Sequence, residues 1–180
     1  MRAKWAVLGI VGALALAGSG IVAAGNGQRD VMKEQPIAFP HDVHAGTLEI
    51  PCMYCHNTAA RSPDAGIPSM QTCAGCHLPT GTLLFKRDSP ELQKLQAYWD
   101  QQLAVPWVQI YRVPSHVHFP HNMHVNAGLE CQQCHGPVQE MKEIEVAPTP
   151  DLKGKPLTMG WCINCHTERK VRVDCTVCHY

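Results

Sequence analysis

Five copies of C-x-x-C-H constrain this 180-residue chain more than any other feature. They read CMYCH from Cys52, CAGCH from Cys73, CQQCH from Cys131, CINCH from Cys162 and CTVCH from Cys175, and together they use all 10 cysteines. Zinc sites also use C-x-x-C, but ten cysteines in zinc sites would group differently, and a histidine would not follow every second cysteine. The pattern is the attachment signature of c-type haem. Two sulfurs add across the two vinyl groups of one porphyrin edge. The cofactor-binding pairs are therefore Cys52 and Cys55, Cys73 and Cys76, Cys131 and Cys134, Cys162 and Cys165, and Cys175 and Cys178. The adjacent histidine falls under the iron as proximal ligand, which gives His56, His77, His135, His166 and His179 that role. The expected load is five covalently bound haem c.

That load determines the expected fold. With three Phe, 14 Gly and 14 Pro the polypeptide alone makes a thin core, whereas each haem is a large apolar plate. The expectation is a multihaem cytochrome c with little regular secondary structure, its short helices and long loops wrapped around a five-haem stack. Without Arg2 and Lys4, 13 of the 15 basic residues remain against 15 acidic ones. Five ferric haems with ionised propionates would bring that part to about −7. No basic block points to nucleic acid.

The amino terminus carries Arg2 and Lys4 and then no charge until Arg29. Trp5 to Ala24 is an apolar stretch of about membrane-spanning length. It reads as one N-terminal transmembrane helix with its basic end in the cytoplasm. A secretory signal cut after Ala17 or Ala24 is the other reading. Both export the rest of the chain. The expected location is the inner membrane, single-pass, with the haem domain on the periplasmic side.

FPHDVH at 39–44 recurs as FPHNMH at 119–124, each ahead of a C-x-x-C-H. This internal repeat divides the chain: an anchor or signal at 1–28, a first unit at 29–82 with two sites, a linker at 83–115, and a second unit at 116–180 with three. The six histidines outside the motifs, His41, His44, His116, His118, His121 and His124, all lie in the two repeat heads. Histidines three apart on a helical turn share one side and can reach two neighbouring irons. His41, His44, His121 and His124 are thus the expected distal ligands. For the fifth, His116 and His118 alternate along an extended segment and face opposite ways. Met159 and Met141 compete with them, and a methionine would raise that haem's potential.

In the linker, SPELQKLQAYWDQQL reads as a packing helix with Ser89 as cap, Pro90 in the first turn and Leu92, Leu95, Trp99 and Leu103 along one face. VPWVQIYRVP should be extended, with Pro blocking strand pairing at both ends. The last two motifs start only 13 residues apart at Cys162 and Cys175, which places the fifth haem at an end of the array as an entry or exit port. Histidine and methionine suffice to saturate five irons. Electron transfer without a catalytic residue is therefore expected over substrate reduction.

The combination of "FPHDVHAG...IPCMYCH", "SPDAGIPSMQTCAGCH", "HVHFPHNMHVNAGLECQQCHGPV" and "LTMGWCINCH" after a single N-terminal span resembles the pentahaem cytochrome subunit of bacterial alternative complex III, a quinol:electron-acceptor oxidoreductase. More broadly, the H-x-x-H and C-x-x-C-H units are similar to class III multihaem cytochromes. The closer resemblance implies an iron–sulfur subunit feeding electrons in, polytopic quinol-binding membrane subunits, and a monohaem cytochrome or an oxidase taking electrons out. It also implies His116 as the fifth distal ligand, while His118 stands where that family has an aromatic residue. A stand-alone membrane quinol dehydrogenase and a soluble multihaem shuttle are the alternative functions.

Overall fold

The computed structural model describes residues 34–78, 88–146, 149 and 154–180. The expected N-terminal span lies outside them. No helix among the described residues is long and apolar enough to cross a membrane. They contain short helices and no strand. In chain order these are a π-helical turn Asp42–Thr47, α1 Cys52–Cys55, α2 Met70–His77, α3 Pro90–Asp100, α4 His121–Asn126, α5 Cys131–His135, a 3-10 turn Val138–Glu140, α6 Met159–Glu168 and a 3-10 turn Cys175–Val177.

Every C-x-x-C-H supplies or joins one of these helical turns, because one turn brings cysteines three apart onto one face. The longest helix, α3, packs against α2. Its Leu95 is buried with Ile37, Ala74 and Leu78, and Leu92, Tyr98 and Trp99 extend that contact. Ser89 occupies the cap position and Pro90 the first turn, but the Ser89 hydroxyl makes no capping bond. The backbone carbonyl of Ser89 instead accepts from Leu92 and Gln93. Leu103 lies beyond the helix end and is 52% exposed, so it is not on the packing face. The 105–114 segment forms no strand, and it is not straight: the Trp107 N–H turns back to the Val105 carbonyl at 2.9 Å, and the chain bends at Tyr111. The Gln35 side chain takes the place of a strand partner, donating to the Val108 carbonyl at 2.9 Å and accepting from its N–H at 3.0 Å.

Outside this α2–α3 cluster, the buried apolar side chains of the described residues are Ala59 and Trp161. Such a core is far too small to offset the chain entropy of a domain of this size. The two repeat units grip each other instead. The Asp42 N–H donates to the Met141 carbonyl at 3.0 Å, tying the π-helical turn to the segment after α5. Gly46 sits so close that a Cβ there would strike the Gln139 carbonyl oxygen. Gly46→Ala should therefore lower stability by about 1–3 kcal/mol, as overpacking does. Thermal unfolding of the holoprotein measures this.

Candidate haem-binding site

The two repeat heads fold alike around their histidines. Phe39 stacks on His44 with ring centroids 4.2 Å apart, and Phe119 stacks on His124 at 4.3 Å. The same phenylalanines meet His41 and His121 edge-on at 4.8 and 4.9 Å. The proline carbonyls complete the device: Pro40 O accepts from His44 Nδ1 and Pro120 O from His124 Nδ1, each at 2.9 Å. The Phe-Pro ahead of each H-x-x-H thus clamps the second ring and leaves Nε2 as its free nitrogen. Fixing one ring nitrogen to a carbonyl is how proteins orient a metal-ligating imidazole. The sequence singles out these histidines as expected ligands but does not by itself reveal the clamp, although its signal, FPH twice, is present.

Several other rings are fixed in the same way. His56 Nδ1 bonds the Gly66 carbonyl, His166 Nδ1 that of Arg172, His179 Nδ1 that of His116, and His121 Nδ1 that of Pro63, all within 2.8–2.9 Å. Gly66 adopts φ +73°, a conformation that favours glycine, and the Thr58 hydroxyl packs beside it. His41 Nδ1 is buried without a hydrogen-bond partner.

The rings come together in pairs with a gap between them. Centroids lie 6.0 Å apart for His44 and His77, 6.3 Å for His121 and His135, 6.1 Å for His124 and His166, and 5.4 Å for His116 and His179. His41 lies within electrostatic reach of His56. A metal–imidazole bond is about 2 Å and the ring centre lies roughly 1 Å further, so rings on opposite sides of one metal have centroids about 6 Å apart. Among the described residues, no three His, Cys, Asp or Glu side chains converge as a metal cluster would need. The geometry suits a plate held between two rings, not a zinc site.

The electrostatics agree. Burial pushes His41 and His135 down to about 4, with neighbouring histidines adding to the effect. Both are thus neutral imidazoles, the form that ligates iron. Burial also raises the thiols of Cys55, Cys73, Cys131, Cys134 and Cys162, with nearby cysteines contributing. All ten cysteines are free of disulfides, and Cys175 alone among them is exposed. The buried indole N–H of Trp161, one residue before Cys162, has no acceptor among the described residues. A buried donor left open suggests a partner from outside the polypeptide, and a haem propionate is chemically suited.

The residues competing for the fifth distal role fall in different places. His116 stacks towards His179, whereas His118 stacks on Tyr180 at 4.4 Å. Met159 begins α6 and is 63% exposed. The Met141 carbonyl is engaged by Asp42.

Thiol pairs on helical turns, four of them followed by a histidine that faces a second histidine across a gap, define a multihaem c-type cytochrome. Residues 117–180 match the family of cytochrome c7 and related cytochrome c. Over 168 residues, 82% of this chain and 77% of the relative, the sequence is 30% identical to the menaquinone reductase, multiheme cytochrome c subunit, of Nitratidesulfovibrio vulgaris. The chain belongs to this family of multihaem c-type cytochromes, which carry covalent haem c and transfer electrons.

Proposed function

We propose that the chain is a five-haem electron-transfer subunit of a membrane complex working with the quinone pool. The observation that carries this reading is the set of histidine pairs, one for each C-x-x-C-H. Haem c supplies a one-electron carrier at each site. The chain's part would be to attach it through the cysteines and to hold it between two imidazoles. The pairs are His41 with His56, His44 with His77, His121 with His135, His124 with His166, and His116 with His179. Ring separations near 6 Å support four of them. Saturating every iron leaves no open position for substrate, which supports conduction over catalysis.

The finer assignment is alternative complex III. In it an iron–sulfur subunit delivers electrons, polytopic subunits hold the quinol, and a monohaem cytochrome or an oxidase accepts. Residues 5–24 would anchor the chain on the periplasmic side of the inner membrane. A second reading reverses the flow, and the relative's name, menaquinone reductase, favours it. The test is to purify the chain gently from membranes and assay what accompanies it. Recovery with an iron–sulfur and polytopic subunits, and quinol oxidation, is the expected result. Quinone reduction alone would favour the second reading. Recovery alone with quinol activity, or in the soluble fraction without residues 1–24, would overturn both.

The fifth pair has its own test. His116→Ala should convert one low-spin ferric haem per chain to high spin, while His118→Ala should leave all five low-spin. Optical and electron paramagnetic resonance spectra read this directly.

A further inference from the structure

The order of the motifs along the chain is not their order in space. His41 and His44 share one helical turn and reach the first and second motifs, through His56 and His77. His121 and His124 share α4 and reach the third and fourth, through His135 and His166. Each turn therefore ties two sites together, and the question is which members of the two couples meet.

Reciprocal contacts answer it. The loop 57–66 follows the first motif and takes His56 Nδ1 at the Gly66 carbonyl. The same loop receives α4: Pro63 O accepts from both His121 N and His121 Nδ1, Ser62 O from Asn122 N, and Ala60 O from the Asn126 side chain at 3.0 Å. In the other direction, the segment after the third motif carries Gln139 and Met141, which pack on Gly46 and Asp42. Each unit's first motif is thus followed by a segment that cradles the other unit's distal turn. The third motif's Cys131 also lies beside the first motif's Cys52. Motifs one and three face each other across the junction of the repeat.

The remaining neighbours are unambiguous. His44 of the shared turn faces His77 at 6.0 Å and Cys55 lies near Cys73 and Cys76, which makes the second motif the first motif's other neighbour. Cys134 is within reach of Cys162 and Cys165, and Cys162 of Cys178. The fifth motif is pinned by the bond from His118 N to the Cys178 carbonyl at 2.8 Å.

We infer that the five haem attachment sites stand in single file in the order second, first, third, fourth, fifth. This rests on the reading that every motif carries a haem. The file's ends are Cys73–His77 and Cys175–His179, so outside redox centres come nearest at those two motifs, and the first motif is interior despite leading the sequence. The duplicated units are joined head to head by their first motifs.

The test is an electron cryomicroscopy map of the haem-loaded chain in its membrane complex, with each porphyrin identified by its thioether bonds. The expected result is that the porphyrin on Cys52 and Cys55 has two porphyrin neighbours, those on Cys73/Cys76 and Cys131/Cys134. The one on Cys73/Cys76 should have a single neighbour within the chain. A porphyrin on Cys73/Cys76 lying between those on Cys52/Cys55 and Cys131/Cys134 would overturn the order and leave the five-haem reading intact. A motif without thioether bonds would overturn the five-haem reading and the file with it.

Discussion

Replacing Cys131 and Cys134 by alanine is expected to cost the protein its fold as well as one haem. The third motif lies where the two repeat units meet. α5 begins at Cys131, Cys131 lies beside Cys52, and the Tyr111 hydroxyl shares its proton between the His135 carbonyl at 3.0 Å and the Glu145 carbonyl at 2.9 Å. The Tyr111 ring also meets His135 edge-on at 4.4 Å. Burial, with Glu145 nearby, pushes the Tyr111 phenol up to about 12. The polypeptide buries too little apolar surface of its own to replace a lost haem plate. Loss of a bound metal group belongs to the mechanisms whose cost exceeds about 4 kcal/mol. Covalent haem content, protease resistance and yield from membranes should therefore all collapse. The matched variant Cys175→Ala/Cys178→Ala removes a motif at the exposed end. It should keep four haems and most of the folded yield. Equal yields from the two variants would contradict the claim that the haems form the core.

The second large effect concerns potential. His124→Met keeps a ligand of similar reach at the fourth site but exchanges an imidazole for a thioether. Methionine ligation raises a haem's potential. The expected shift is upward and on the order of 0.1 V, a fraction of the roughly 0.8 V that axial ligands span. One of the five reduction steps should move while the others stay close to their original positions. Optical titration of the purified protein measures it. Phe119 would lose its stacked partner, so Phe119→Leu in the parent background is the control for packing. It should leave the potentials nearly unchanged. If His124→Met shifted no step, His124 would not be a ligand.

The C-x-x-C-H motifs are legible in the sequence because covalent haem attachment imposes a local spacing. Cys52, Cys55 and His56 would have to reach one porphyrin, and no distant residue alters that spacing. The H-x-x-H heads were legible for a related reason: a helical turn is local, and the repetition of FPH made it visible twice. The structure adds what depends on distant partners. His121 is oriented by the Pro63 carbonyl, 58 residues away. His116 and His118 differ only by two positions, yet one meets His179 and the other Tyr180. Nothing in "PSHVHF" distinguishes them without knowing where the carboxy-terminal segment folds. Leu103 fits the helical spacing after Trp99, but α3 stops at Asp100 and Gln102 turns with φ +55°. Periodicity cannot see such an ending. The spatial order of the motifs is the extreme case, since it is set by contacts between the repeats and leaves no trace in their spacing.

This chain should hold five haems, each between two histidines. Low-temperature electron paramagnetic resonance of the fully oxidised purified protein, with the spins counted per chain, tests it most directly. Five low-spin ferric centres of bis-imidazole character and no high-spin signal are expected. Fewer than five spins, or a high-spin centre in the unmodified protein, would contradict it.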